Sequence, residues 1–253
     1  MDPTAVSLIV ATCIFVAAMA GLLGHARLPQ PLLTKETQDV VRLATGMLSV
    51  LASLVLGLLI ATAKTQYDTT DQAIRGYAAE LILLDETFRD YGPDASAPRD
   101  LLRDYTKQLR SDFWPEAGSA KVVMDNNVSS AMLEHIREAI RALRPVDDGQ
   151  KWLQDQALQI STGLLRNRWL MIEQGGSKIQ PIVLLVLVLW IAFLFATFGL
   201  NAPRNAMVVA SFLICSLAIG GSIYLIMEMD QPLAGSMKIS SWPITNALSH
   251  MPP

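Results

Sequence analysis

Four stretches of this chain carry no charged residue: 3–24, 43–63, 179–203 and 205–227. At a rise of about 1.5 Å per residue, each is long enough to cross a bilayer hydrocarbon core of about 30 Å as a helix. The chain is therefore read as an all-α integral membrane protein with four transmembrane helices. The second stretch lies inside a longer helical pattern. No proline interrupts 32–92; Thr34 is placed to cap its start, and Glu36 and Asp39 sit in the first turns, where the helix dipole favours acids. Past Lys64, the apolar positions Ile74, Ala78, Leu81, Leu84 and Phe88 recur at three- and four-residue spacing. The second span is thus predicted to continue out of the membrane as the first helix of an extramembrane domain.

Only 17% of the residues are charged, against about 25% in an ordinary soluble domain. The charges that exist concentrate between 64 and 181. Three further amphipathic patterns lie there. Residues 98–113 carry Leu101, Leu102, Tyr105 and Leu109. Residues 129–143 carry Met132, Leu133, Ile136, Ile140 and Leu143, and residues 148–174 carry Trp152, Leu153, Ala157, Ile160, Leu164 and Leu165. With the end of the long helix they need one another to bury their stripes, which implies a helical bundle seated directly on the membrane. The organisation read from this is a transmembrane hairpin at 1–63 (spans about 4–24 and 43–63) and a bundle at 64–181. A second hairpin at 182–227 (spans about 182–200 and 206–227) and a short tail at 228–253 follow. Pro29 and Pro31 break the chain between the first two spans, Gly175-Gly176-Ser177 loosens the junction with the third, and Asn201-Ala202-Pro203-Arg204-Asn205 makes a tight hairpin before the fourth. The first span has no basic segment before it and is read as a retained helix.

Counted over the short loops, Arg27, Lys35, Arg42 and Arg204 fall on one side and Lys238 on the other. By the positive-inside rule the bundle and both termini then lie outside the cytoplasm, although Arg166, Arg168 and Lys178 pull the other way. The net charge of −3, with both signs interspersed, offers no basic stripe for nucleic acid. Cys13 and Cys215 fall within spans and are read as small buried hydrophobes. His25, His135 and His250 lie in separate segments without metal-ligand or paired-carboxylate spacing, and neither a Gly-x-Ser-x-Gly turn nor a phosphate-binding glycine loop occurs. No catalytic residue, metal or cofactor is assigned, and the chain is not read as an enzyme.

Two features bear on whether the chain carries a transport pathway. Small residues recur at every fourth position of the second span: Thr45, Ser49, Ser53, Gly57 and Ala61. Such a stripe serves close packing within one subunit, packing between subunits, or the lining of a narrow pore. Glu228 and Asp230 close the fourth span, either as its solvated end or as a ring of acids that attracts cations at a pore mouth. Trp114, Trp152 and Trp169 in the bundle are core aromatics or linings of a small-ligand site. The mixed charges Asp100, Arg103, Asp104, Lys107 and Arg110 form a solvated helix face.

The order of features resembles a family of bacterial membrane proteins with a bestrophin-like domain. The resemblance rests on Arg27-Leu28-Pro29, on Val55-Leu-Gly-Leu-Leu-Ile-Ala-Thr-Ala-Lys64, and on Leu83-Leu84-Asp85-Glu86 with Tyr91-Gly92-Pro93. It extends to Asn201-Ala202-Pro203-Arg204-Asn205 and to Met229-Asp230-Gln231-Pro232, followed by Gly235 and Ile239-Ser240. Leu233 stands where the usual tail has an aromatic, and span two has no counterpart of the regularly spaced aromatics of the bestrophin neck. The resemblance implies an oligomeric ion channel of a bacterial inner membrane, pentameric, with an axial pore lined by the second helix and inorganic ions as its cargo. It also implies a cytoplasmic extramembrane domain, opposite to the loop-charge count. The competing reading is a non-conducting membrane sensor or scaffold whose bundle binds a ligand or partner.

Overall fold

The computed structural model describes residues 2–24, 35–115, 127–175 and 180–252, apart from the side chains at 35, 37, 173–175 and 181. Among the described residues every regular element is helical. In order they are α1 (Pro3–Gly24), α2 (Lys35–Tyr91), α3 (Ser96–Phe113), α4 (Asn127–Ala142), α5 (Asp148–Gly175), α6 (Pro181–Asn201), α7 (Ala206–Met229) and α8 (Trp242–His250). Four of these, α1, α2, α6 and α7, are long and apolar enough to cross a membrane. The architecture is the all-α, four-span membrane fold expected from the uncharged runs. The Thr34 cap, the turn at 25–31, the Gly176-Ser177 junction and most of the link between α3 and α4 lie outside the described residues.

The chain divides into two compact units, Met1–Tyr67 with Ile179–Gln231 and Asp68–Lys178 with Pro232–Pro253. The 57-residue α2 contributes to both. In the first unit, α1, α6 and α7 meet backbone to backbone. A Cβ placed on Gly21 would collide with the Ala196 carbonyl oxygen, and one on Gly199 with that of Ala18. One on Gly220 would stand 2.9 Å from the Ala11 Cβ and 3.0 Å from the Ser7 carbonyl oxygen. Lipid tails are as apolar as leucine side chains, so close approach of this kind, rather than a hydrophobic driving force, is what holds membrane helices together. Val10 and Ile14 of α1 then pack with Leu187, Ile191 and Leu194 of α6 and with Ile223 and Ile226 of α7, and α2 closes the cluster with Ala52 and Ala63. The turn between α6 and α7 secures the ends. Asn205 caps α7 by accepting from the Val208 amide at 2.9 Å, and Arg204 donates to the Leu22 and Leu23 carbonyls at the end of α1, each at 3.2 Å.

The second unit buries the stripes that the spacing marks out. Ile74, Ala78, Leu81, Leu84 and Phe88 of α2 meet Leu102, Tyr105 and Leu109 of α3, Leu133, Ile136 and Ile140 of α4, and Ala157, Ile160 and Leu164 of α5 in its core. At the corner between α2 and α3, Gly92 takes φ 107°, a conformation that costs a residue with a Cβ. Buried Asp85 fastens that corner by accepting from Arg99 Nε at 2.7 Å, with Arg89 Nε at 3.3 Å. At the start of α5, Asp147 Oδ1 accepts from the Gln150 amide at 2.7 Å and Gln150 Oε1 accepts from the Val146 amide at 3.0 Å. One expectation is corrected. Trp152 and Trp169 are 63% and 55% exposed, because they fall on the outer side of α5 and line nothing in the interior. The stretch after Gln231, rich in proline and glycine, ends in α8, which buries Ile244 and Ala247. Leu233, Ile239 and Met251 are buried as well, and Trp114 Nε1 donates to the Ile239 carbonyl at 2.8 Å.

The glycine contacts set a stability test. Gly199→Val should lower the stability of the purified protein in detergent by about 3 kcal/mol or more, because a β-branched side chain has to displace the α1 backbone. Gly221→Val, at a glycine with nothing within 4 Å, should stay within about 0.5 kcal/mol of the parent. Equal thermal unfolding of the two variants would contradict the packing described.

Candidate functional site

The second transmembrane helix is the least covered of the four. Only 11% of its apolar stretch is buried, against 33% in α1 and in α6 and 17% in α7. Its covered side carries Thr45, Ala52 and Ala63, with Leu48, Val55 and Leu59 partly covered. On the opposite side Leu43, Met47, Val50, Leu54 and Leu58 are each 65% exposed or more. The small-residue stripe crosses from one side to the other. Four residues make about 400° of helix, so each step turns it by about 40°. Thr45 is buried, Ser49 half-buried, and Ser53, Gly57 and Ala61 exposed. The three hydroxyls donate to carbonyls one turn back in their own helix: Thr45 to Val41 at 2.6 Å, Ser49 to Thr45 at 2.8 Å and Ser53 to Ser49 at 2.9 Å. What they present outward is therefore an oxygen lone pair. A Cβ on Gly57 would meet nothing within 4 Å.

Glu228 lies within the last turn of α7 at 2% exposure, while Asp230, its C-cap, is half-buried. The two acids that the sequence pairs thus differ in access to solvent. At the end of the unit that carries the turn between α6 and α7, a pocket of about 780 Å³ is lined by Gln38, Asp39, Arg42 and Thr45 of α2, by Thr197, Phe198 and Asn201 of α6, and by Ser211 and Phe212 of α7. Cys13 and Cys215 are exposed thiols rather than the buried residues expected, since they sit on the outer sides of α1 and α7. His135 and His250 are exposed and far from any cluster; His25 lies outside the described residues. Among the described residues no group of three or more His, Cys, Asp or Glu is arranged to hold a metal ion.

The second unit contains a polar interior that the spacing did not reveal. Arg168 of α5 is 1% exposed, beside Tyr77 of α2 and Tyr105 of α3 at 1% and 0%. The two tyrosine hydroxyls share a short hydrogen bond, and the Arg168 guanidinium is in hydrogen-bond contact with Tyr105. Asn167 Nδ2 donates to Glu80 Oε1 at 2.8 Å, and Asp112 accepts from Gln108 at 2.9 Å and from the Ser129 hydroxyl. An arginine at helical spacing from Ile160 and Leu164 was the available signal. Burial pushes the Tyr77 hydroxyl well above the ordinary value of 10.0, with Tyr105 adding to the shift, and burial raises Tyr105 too. An unfolded tyrosine ionises near pH 10 while these stay protonated. The folded state therefore keeps its full stability below about pH 10 and loses it as pH rises further. Thermal unfolding of the full chain should show that alkaline fall, and Tyr77→Phe should make it shallower. An unchanged slope in Tyr77→Phe would contradict the buried, neutral pair.

The family model of the Bestrophin-like domain matches residues 12–244. Crystal structures of a bacterial bestrophin homologue from Klebsiella pneumoniae, each carrying a point mutation, share the fold. One has a TM-score of 0.72 at 11% identity and covers 98% of this chain and 96% of that chain. Another has a TM-score of 0.72 at 11% identity, covering 96% and 97%, and a third a TM-score of 0.68 at 12% identity, also covering 96% and 97%. No curated protein matches the sequence. With the family match spanning nearly the whole chain, and a four-span helical fold shared with the bestrophin homologue, this protein belongs to the Bestrophin-like family.

Proposed function

We propose that the protein is the subunit of an oligomeric ion channel of a bacterial plasma membrane, with α2 lining the pathway. The observation that carries this reading is the bare side of α2. Each span keeps an exposed apolar side, and α2 keeps the broadest: only 11% of its apolar stretch is buried, and Leu43, Met47, Val50, Leu54 and Leu58 on its outer face are each 65% exposed or more. Symmetric copies arranged about an axis on that face would enclose a pathway. Characterised members of the family are ion channels, which supports the same reading.

In this arrangement Ser53, Gly57 and Ala61 form the lining, and Thr45 and Ser49 support it from the covered side. Val50 and Leu54, 69% exposed and adjacent to Ser53, form an apolar constriction of the kind that gates by dewetting. Asp230 is the acid placed to draw cations to one mouth, with Glu228 enclosed behind it; this favours cations over anions.

Flux tests the proposal. Full-length protein reconstituted in liposomes, given potassium, sodium, calcium and chloride gradients in turn, should conduct selectively. Ser53→Trp should cut the flux about tenfold or more by filling the constriction, and Leu54→Ser should raise it by wetting it. Silence under every gradient, from protein shown to be folded and oligomeric, would reject the channel and favour the sensor or scaffold.

A further inference from the structure

We infer that the pocket at the end of the four-helix unit binds a zwitterion made of a primary ammonium and a phosphate, the chemistry of a phosphatidylethanolamine headgroup. Its volume of about 780 Å³ falls in the range of about 300–1,000 Å³ typical of small-molecule sites. Two charged side chains line it, Asp39 and Arg42, three residues apart on α2 and so on neighbouring positions of one helix surface. They form no ion pair with each other, and among the described residues neither has a hydrogen-bond or ion-pair partner. One unpaired carboxylate and one unpaired guanidinium in one pocket suit a ligand that carries both opposite charges at short separation.

The neutral walls favour the ammonium further. Thr197 and Ser211 spend their hydroxyl protons on the Phe193 and Met207 carbonyls, each at 2.9 Å, as Thr45 does on Val41. Asn201 spends an amide proton on the Thr197 carbonyl at 2.9 Å. The hydroxyls therefore offer the pocket acceptor oxygens, joined by the Asn201 carbonyl oxygen beside that residue's one remaining N–H; the oxygens match the three N–H donors of a primary ammonium, which a quaternary one lacks. Arg42 supplies the donors for a phosphate. Phe198 and Phe212 complete the wall with apolar surface suited to a lipid's glycerol and upper acyl carbons. Arg42 is the last charge before the uncharged run of the span, at the depth where lipid phosphates lie.

The site is independent of whether the chain conducts ions. Its test is lipid retention by the full-length protein in detergent, measured by native mass spectrometry during titration with dioctanoyl phosphatidylethanolamine, dioctanoyl phosphatidylcholine or dioctanoyl phosphatidylglycerol. One saturable site per chain should prefer the ethanolamine lipid over the other two by about tenfold, the worth of a charge-assisted hydrogen bond. Asp39→Asn should erase that preference, and Arg42→Gln should weaken all three lipids by a similar factor. Both residues are exposed, and folding of the variants is checked by thermal unfolding. Competition by free O-phosphoethanolamine would assign the site to a soluble zwitterion, and its failure to compete would assign it to the lipid; either keeps the chemistry. Equal binding of the three lipids to the parent protein, or binding indifferent to both substitutions, would overturn the inference.

Discussion

The contact of the α1 and α6 backbones at Gly21 and Gly199 governs the membrane-spanning unit. Because neither position has room for a Cβ, α1 and α6 lie closer than side-chain packing permits, and α7 adds its own close approach at Gly220. With α1 held between α6 and α7, the fourth span packs on this group along one side. That is the condition of α2, whose Ala52 and Ala63 close the cluster while Leu43, Val50 and Leu54 look outward. The small residues with a structural duty inside the subunit are therefore the glycines of α1, α6 and α7. The exposed end of the α2 stripe is left for what lies beyond the subunit.

Much of this was legible in the sequence. The four spans follow from uncharged length alone, and the buried stripe from Ile74 to Phe88 follows from three- and four-residue spacing, since both are local properties of the chain. Which side of α2 is covered was not legible. That depends on how α1, α6 and α7 pack, and a stripe at every fourth residue rotates out of any one face, so Thr45 ends inside and Ala61 outside. The acids Glu228 and Asp230 look alike in sequence, but the last turn of α7 encloses one and half exposes the other. Trp152 and Trp169 were misread for the converse reason: an aromatic at an apolar-looking position says nothing of the neighbour that would cover it. The α8 helix was hidden because its nine residues follow a run of prolines, glycine and serines and its packing partners are distant in the chain.

Several of the local motifs in the sequence acquire physical reasons. Asp85 fastens the corner between α2 and α3, and Gly92 supplies the positive φ that the corner needs. The turn of Asn201 to Asn205 caps two helices at once through Asn205 and Arg204. The polar interior around Tyr77, Tyr105 and Arg168 belongs to a different class. A buried guanidinium is costly to desolvate, so its net contribution to stability is small, while the polar contacts around it link side chains of α2, α3 and α5.

The claim on which the account turns is that the outer face of α2 borders water in the assembled protein. The direct measurement is a thiol-accessibility scan of the reconstituted full chain, with Cys13 and Cys215 first replaced by serine. Single cysteines are placed along α2 and challenged with a membrane-impermeant reagent. Cysteines at Val50, Ser53, Leu54 and Gly57 should react, while those at Leu48, Ala52, Val55 and Leu59 stay protected. Protection at all eight positions would mean that lipid or a neighbouring subunit covers the face, and would contradict a pathway along α2.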